Sequence, residues 1–192
     1  MLPTVPLATV LGKSGFKFAP QQYMGDNDAA ALAALFASVD PKVVAEFGVN
    51  IGNTAKRLLD NLPNIQRYFG VDVFGNYKFE IPAQSSEQPG EPGILAKADK
   101  RFELILKPKG TRDLFPDDLP LCDAVFVDGD HGYHSVMYDA TLAAAIIKPG
   151  GIIVFHDYGN STAEVTAALN KLAEEGRKIY SIEQTWMAFE RR

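Results

Sequence analysis

The stretch DAVFVDGDHGYHSVMYDATLAAAIIKPGGIIVFHD, Asp123 to Asp157, decides the fold. Its two ends are short apolar runs rich in Val, Ile and Phe, and each run closes on an aspartate. Between them Val136, Ala140, Ala143 and Ile147 recur at helical spacing. Apolar runs without alternation suit strands buried on both faces, and a helix between two such strands makes a parallel crossover.

The same unit repeats outward in both directions. KVVAEFG (42–48), YFGVDVF (68–74) and FELILK (102–107) read as three earlier strands. Ala55, Leu58, Leu59 and Leu62 form a helical stripe that stops at Pro63, and Asp26 is placed to cap a helix running to about Val39. After Asp157, Ser161 and Glu164 fit a capping box for a helix carrying Val165, Ala168, Leu169 and Leu172, with Gly176 as its C-terminal cap. KIYSI and TWMAFE read as a closing antiparallel pair. The expected fold class is α/β, a doubly wound and mostly parallel sheet with a C-terminal antiparallel strand pair. Residues 1–25, with prolines at 3, 6 and 20, read as an irregular arm, and 26–192 as a single domain with a loop insertion at about 75–97.

That insertion contains QSSEQPGEPG and has two readings, a flexible surface loop or a lid over a site. Phe74, Tyr77 and Phe79 at its start would give a lid apolar walls.

Bulk properties exclude several classes. With 192 residues, 46% of them hydrophobic, the chain is long enough for one core. A net charge of −5 argues against nucleic acid as the main partner. Cys122 is the sole cysteine, so no internal disulfide forms, and a reducing, cytoplasmic setting is expected. The opening MLPTVPLATVLGKSGFKF lacks a basic start and is interrupted by Lys13, unlike a signal peptide. No apolar run reaches the roughly 18 residues of a membrane span.

Polar clusters gather at the carboxyl ends of the predicted strands, where open α/β sheets bind ligands. EFGVNIGN supplies Glu46, Gly48, Asn50 and Gly52 at a strand-to-helix turn, where glycines let backbone approach a ligand. Asp72 ends the next strand, at the place where a carboxylate accepts ribose hydroxyls. A dinucleotide fingerprint is not matched, because Asn50 stands where its second glycine belongs. Asp128 and Asp157 end neighbouring strands, so their carboxylates and His156 are expected to converge as cation ligands. Oxygen ligands suit Mg²⁺, Mn²⁺ or Ca²⁺, and an imidazole tilts the choice toward a transition metal. Helix capping by both aspartates is the competing reading. Asp130 and His131 are the candidate bases, His131 because its unperturbed pKa is near neutrality. His134 reads as a bystander, and Tyr133 and Tyr158 as pocket walls.

In this order, EFGVNIG, GVDVF and FVDGDHGY…KPGGIIVFHDY resemble the class I S-adenosylmethionine-dependent methyltransferases, with their Rossmann-like fold. More closely they resemble the small-molecule group that includes macrocin O-methyltransferase-like and cephalosporin hydroxylase-like proteins. The resemblance implies a methionine moiety beside Glu46, Gly48 and Gly52, a ribose at Asp72 and an adenine near Thr111. It also implies acidic cation ligands at Asp128 and Asp157, a small-molecule acceptor, and O-methylation assisted by Mg²⁺ or Mn²⁺. Three alternatives stand beside it: a metal-independent N- or O-methyltransferase, a non-catalytic S-adenosylmethionine-binding protein, and a dinucleotide-dependent oxidoreductase. The closing strands also offer an edge for a homo-oligomer.

Overall fold

A computed structural model describes every residue except 13, 14, 17, 19–23 and 89. Of the features read above, Lys13, Pro20 and Pro89 lie outside the described residues. Among the described residues eight strands form one sheet, which runs in the order β1 (Thr4–Val5), β7 (Ile179–Ile182), β8 (Ala188–Arg191), β6 (Ile147–Phe155), β5 (Cys122–Val127), β2 (Val43–Phe47), β3 (Arg67–Val73) and β4 (Phe102–Lys107). The central strands are β2 (Val43–Phe47), β3 (Arg67–Val73), β4 (Phe102–Lys107), β5 (Cys122–Val127) and β6 (Ile147–Phe155), all mutually parallel. At the far end β7 (Ile179–Ile182) and β8 (Ala188–Arg191) are antiparallel, with β8 also antiparallel to β6. The expected α/β class and closing pair are both present.

Helices cover both faces. On one side lie α4 (Tyr133–Ile146) and α5 (Val165–Glu174), burying Val136, Ala140, Ala143, Ala168 and Leu169 against β5 and β6. On the other lie α2 (Asp26–Ala37) and α3 (Asn53–Asn61), where Leu32, Phe36, Leu58 and Leu59 meet Val44, Phe126 and Val154. Two-sided coverage explains why β5 and β6 are apolar without alternation: Val125, Phe126, Ile153 and Val154 are all fully buried.

Several boundaries differ from expectation. Ile147 is not the last position of the α4 face; it opens β6 and pairs with Cys122, with an irregularity before Ile152 pairs with Ala124. Gly25, not Asp26, caps α2, and the Asp28 carboxylate accepts the Gly25 N–H at 3.2 Å. The Ser161–Glu164 capping box does not form. The Glu164 carboxylate instead accepts the Tyr133 N–H at 2.8 Å, capping the start of α4 from a distant loop. Nor is the start of the chain wholly irregular. Residues Thr4–Val5 make β1, parallel to β7, and Leu7–Leu11 make α1. Leu2 is buried, and its N–H donates to the Tyr158 hydroxyl at 3.0 Å.

The chain runs β2, β3, β4 in one direction across the sheet, then returns to place β5 on the other side of β2. The reversal opens a crevice above the carboxyl ends of β2 and β5, the place where such sheets bind ligands.

Candidate active site

A cavity of about 490 Å³ occupies that crevice. Its first wall is the turn after β2. Gly48 has φ +86°, and a Cβ there would lie 2.0 Å from the Asp128 carbonyl oxygen, so the β2 and β5 ends touch through bare backbone. Asn50 sits at φ 49°, an angle that Asn adopts more readily than most residues. Gly52 (φ +87°) begins α3 with its Cα face against Gly93. The Asp72 carboxylate ties the turn down, accepting the N–H groups of Val49 at 2.9 Å and Asn50 at 2.8 Å on one oxygen. Its other oxygen accepts Val73 N–H at 2.7 Å. Burial raises the Asp72 pKa, and those backbone donors oppose the rise. Beneath the turn, buried Glu46 accepts the Tyr68 hydroxyl at 2.9 Å, and burial lifts its pKa well above the usual carboxylate range.

The second wall is the turn after β5. One ligand atom each from Asp128, His131 and Asp157 lies within 4.8 Å of the others. His131 Nε2 is 3.1 Å from Asp157 Oδ2 and 3.8 Å from Asp128 Oδ1. Asp157 has φ 61°, which turns its carboxylate out of the strand path. Asn160 Nδ2 donates to its second oxygen at 2.6 Å. Burial acts to raise the Asp157 pKa, but His156, His131 and Asn160 outweigh it and hold the carboxyl at about 2.

His156 was expected to be the third ligand beside these aspartates, yet the cluster contains His131 in its place. His156 is buried behind it, with Nδ1 3.2 Å from Asp128 Oδ1 and 3.1 Å from Asp157 Oδ2. Its Nε2 lies 3.9 Å from Asp28 Oδ2 and has no hydrogen-bond partner among the described residues. Burial would lower this imidazole's pKa, but the Asp128 charge and the close contacts with Asp128 and Asp157, with the Asp28 carboxylate beyond them, lift it well above the usual histidine value.

Asp130, the other candidate base, is already engaged. It accepts the Tyr77 hydroxyl at 2.9 Å, Glu80 N–H at 3.1 Å and Gly132 N–H at 3.0 Å. Burial and the Asp130 carboxylate push the Tyr77 hydroxyl up to about 12, so it stays a donor.

The segment 75–97 covers this wall. Gln84 donates to Gly129 O at 2.7 Å and accepts His131 N–H at 3.0 Å. Glu80 binds Arg112, Ser135 Oγ and His134 N–H. The far end returns to the glycine turn through Gly93 N–H to Asn50 O at 2.7 Å and Leu95 N–H to Ile51 O at 2.9 Å. Tyr77, Phe79 and Pro92 line the cavity, which supports the lid reading over a loose surface loop.

The third wall follows β4. Thr111, on a short 3₁₀ turn (Gly110–Asp113), donates its hydroxyl to Asp139. Burial raises the Asp139 carboxyl to about 7. Sequence reasoning missed Asp139, Gln84 and Asp28. A signal existed for Asp139, which lies three residues after Val136 on the face of α4 that is otherwise apolar. No comparable signal marks Gln84 or Asp28.

The profile of the family described as "Methyltransferase domain" matches residues 45–158, from β2 through the turn after β6. The chain belongs to that family. This bears out the kinship with class I S-adenosylmethionine-dependent methyltransferases that the motifs suggested. Solved methyltransferases share the fold at low identity. The SAH-bound methyltransferase PaMTH1 of Podospora anserina aligns with TM-score 0.62 at 14% identity, over 97% of this chain and 86% of that one. The O-methyltransferase TomG of Streptomyces achromogenes, solved in complex with SAM, gives 0.59 at 16% identity, over 95% and 85%. A putative caffeoyl-CoA O-methyltransferase of Staphylococcus aureus gives 0.61 at 10% identity, over 97% and 90%. An uncharacterized protein of Acanthamoeba polyphaga mimivirus is 39% identical over 67 residues, which is 32% of this chain and only 30% of that relative. Among the described residues of this methyltransferase-family chain, no helix is long and apolar enough to cross a membrane.

Proposed function

We propose that this methyltransferase-family chain transfers a methyl group from S-adenosylmethionine to a hydroxyl oxygen of a small molecule, assisted by a divalent cation. The observation that carries the reading is the convergence of Asp128, His131 and Asp157 on a cavity whose adjoining wall is the glycine turn. In this reading the methionine moiety lies along Gly48, Asn50 and Gly52, the ribose meets Asp72, and the adenine reaches Thr111. An ionised carboxylate offers about four acceptor positions, so Asp72 retains capacity beyond its backbone donors. A solved O-methyltransferase of the same fold in complex with SAM lends support.

Asp128, His131 and Asp157 would hold the cation, and their two carboxylates with one imidazole fit Mn²⁺ or a neighbouring transition metal. When bound, such a cation supplies Lewis acidity to an acceptor hydroxyl. The chain's own contribution is geometric. Asn160 and His156 fix the Asp157 carboxylate, the 75–97 segment excludes water, and the crevice aligns donor and acceptor for in-line transfer. Asp130 fastens the lid rather than acting as base.

A second reading, metal-independent transfer to oxygen or nitrogen with His131 as base, is favoured by one observation. The His156 Nδ1 already stands 3.2 Å from Asp128 and 3.1 Å from Asp157, engaging both carboxylates without a cation. One experiment separates the readings: S-adenosylhomocysteine formation with a panel of hydroxylated acceptors, before and after chelation, then after Mn²⁺ is restored. Loss and recovery support the cation; full retention after chelation leaves the His131 reading; no turnover with any acceptor counts against catalysis.

A further inference from the structure

We propose that β4 pairs through its free edge with β4 of a second copy of this chain, antiparallel about a two-fold axis, so that one sheet runs through a homodimer. Among the described residues the sheet has two edges. One is β1, only two residues long; it pairs with β7, so the closing strands leave little edge of their own. The other is β4, the six residues FELILK. Phe102, Leu104, Ile105 and Leu106 are only half-buried there, whereas every apolar residue of β5 is buried. No proline, glycine or bulge interrupts the strand. An unpaired edge of that length and apolarity is a template for another strand.

The strand's own sequence selects the partner and the register. Tyr68 N–H donates to the Arg101 carbonyl at 2.8 Å, so in the parallel ladder Glu103, Ile105 and Lys107 bond to β3. Leu104 and Leu106 therefore turn their N–H and C=O groups outward, where no further described strand lies. An antiparallel copy must pair outward residues with outward residues. Leu104 opposite Leu106 of the second copy does so on both sides of the axis. Ile105 then meets its own counterpart on the axis, and Glu103 meets Lys107 of the second copy, twice per dimer. The neighbouring registers are worse. Leu104 opposite itself sets Glu103 against Ile105, and Leu106 opposite itself sets Leu104 against Pro108, which has no N–H. Glu103 is available, because its 3.5 Å contact with Arg67 joins two exposed side chains and contributes little. Leu95, 43% exposed, extends the apolar edge: it lies two residues from Gly93, where a Cβ would stand 3.5 Å from the Leu104 side chain.

The test is sedimentation velocity of the full chain over a concentration series, with the charge reversals Glu103→Lys and Lys107→Glu. Neither side chain is buried, and circular dichroism checks that each variant folds. Wild-type chain is expected to sediment as a dimer at the upper concentrations. Each reversal alone sets like charges opposite one another twice per dimer, and is expected to weaken dimerisation about tenfold or more. Mixing the two variants sets two lysines on one strand against two glutamates on the other. That mixture is expected to recover dimers to within about threefold of wild type. Wild-type chain that stays monomeric throughout, a dimer that neither reversal weakens, or a mixture that fails to recover overturns the pairing. Should one reversal not fold, the other decides alone: weakened dimerisation supports the edge, and unchanged dimerisation overturns it.

Discussion

The Tyr77 hydroxyl donates a 2.9 Å hydrogen bond to Asp130 across 53 residues of chain, and that bond fastens the covering segment to the turn after β5. Tyr77→Phe removes the donor but keeps the ring. Asp130 still accepts Glu80 and Gly132 N–H, so stability should fall by only about 1 kcal/mol. The larger effect should be on the lid: amide hydrogen exchange across 77–88 should quicken, and S-adenosylhomocysteine affinity should drop a fewfold by calorimetry. Unchanged exchange in that segment would show that the bond does not fasten it.

Gly48 and Gly159 both have positive φ, but their surroundings differ. At Gly48 a Cβ would sit 2.0 Å from the Asp128 carbonyl oxygen, whereas at Gly159 nothing among the described residues lies within 4 Å. Gly159→Ala should therefore cost only the left-handed backbone penalty, about 1 kcal/mol. Gly48→Ala must also push apart the ends of β2 and β5, and should cost at least about 3 kcal/mol. Denaturant unfolding of both variants checks the contrast, and equal losses would contradict it.

The Asp157 carboxyl, held at about 2, gives stability a defined acid dependence. Its folded pKa is depressed, so its contribution is present above the unfolded value of about 3.9 and is lost as pH falls toward about 2. Asp157→Asn should be less stable than wild type at pH 7 by about 2 kcal/mol, and the gap should close across that window. A gap that stays constant between pH 5 and 2 would mean that the His156 and His131 contacts do not favour the ionised form.

His156 shifts in the opposite sense, its folded pKa being raised by Asp128, Asp157 and Asp28. Its contribution is fully present below the unfolded value of about 6.5 and is lost as pH rises through the folded value. His156→Gln should therefore be weakest relative to wild type in mild acid, with the difference narrowing in alkali. Melting temperatures of both chains across that range test this, and a gap that widens with pH would reverse the assignment.

For Asp139, burial raises the folded pKa to about 7, with Asp130 adding to the rise and Thr111 and Arg112 opposing it. The folded carboxyl then keeps its proton where the unfolded one has lost it. Between about pH 4 and 7 wild type should lose stability relative to Asp139→Asn, by roughly 4 kcal/mol at most. Parallel pH–stability curves would refute a buried, proton-retaining carboxyl.

The residues that carried the fold were legible because their signals are local. Apolar runs at 123–128 and 151–157, the helical stripe between them and the glycine turn at 46–52 each state a backbone conformation within one short window. Stacking such windows leaves few topologies. The carboxyl-end placement of Glu46, Asp72, Asp128 and Asp157 followed from the same alternation. The first residues misled because a two-strand edge pairing, Thr4 with Ser181, leaves no periodic trace. Glu164 misled because its carboxylate had two N–H donors to choose from, and the distant Tyr133 won over its own helix.

What the sequence by itself determined is the layered α/β sheet and the strand ends where polar groups collect, since side-chain periodicity dictates which surfaces must be buried. Only the tertiary structure decided which of those groups face one another. His131 and His156 both meet the two aspartates, Asp130 holds Tyr77, and Asp139 meets Thr111. These choices rest on hydrogen bonds and burial between segments far apart in the chain, and no local pattern of residues encodes the angle at which two turns meet.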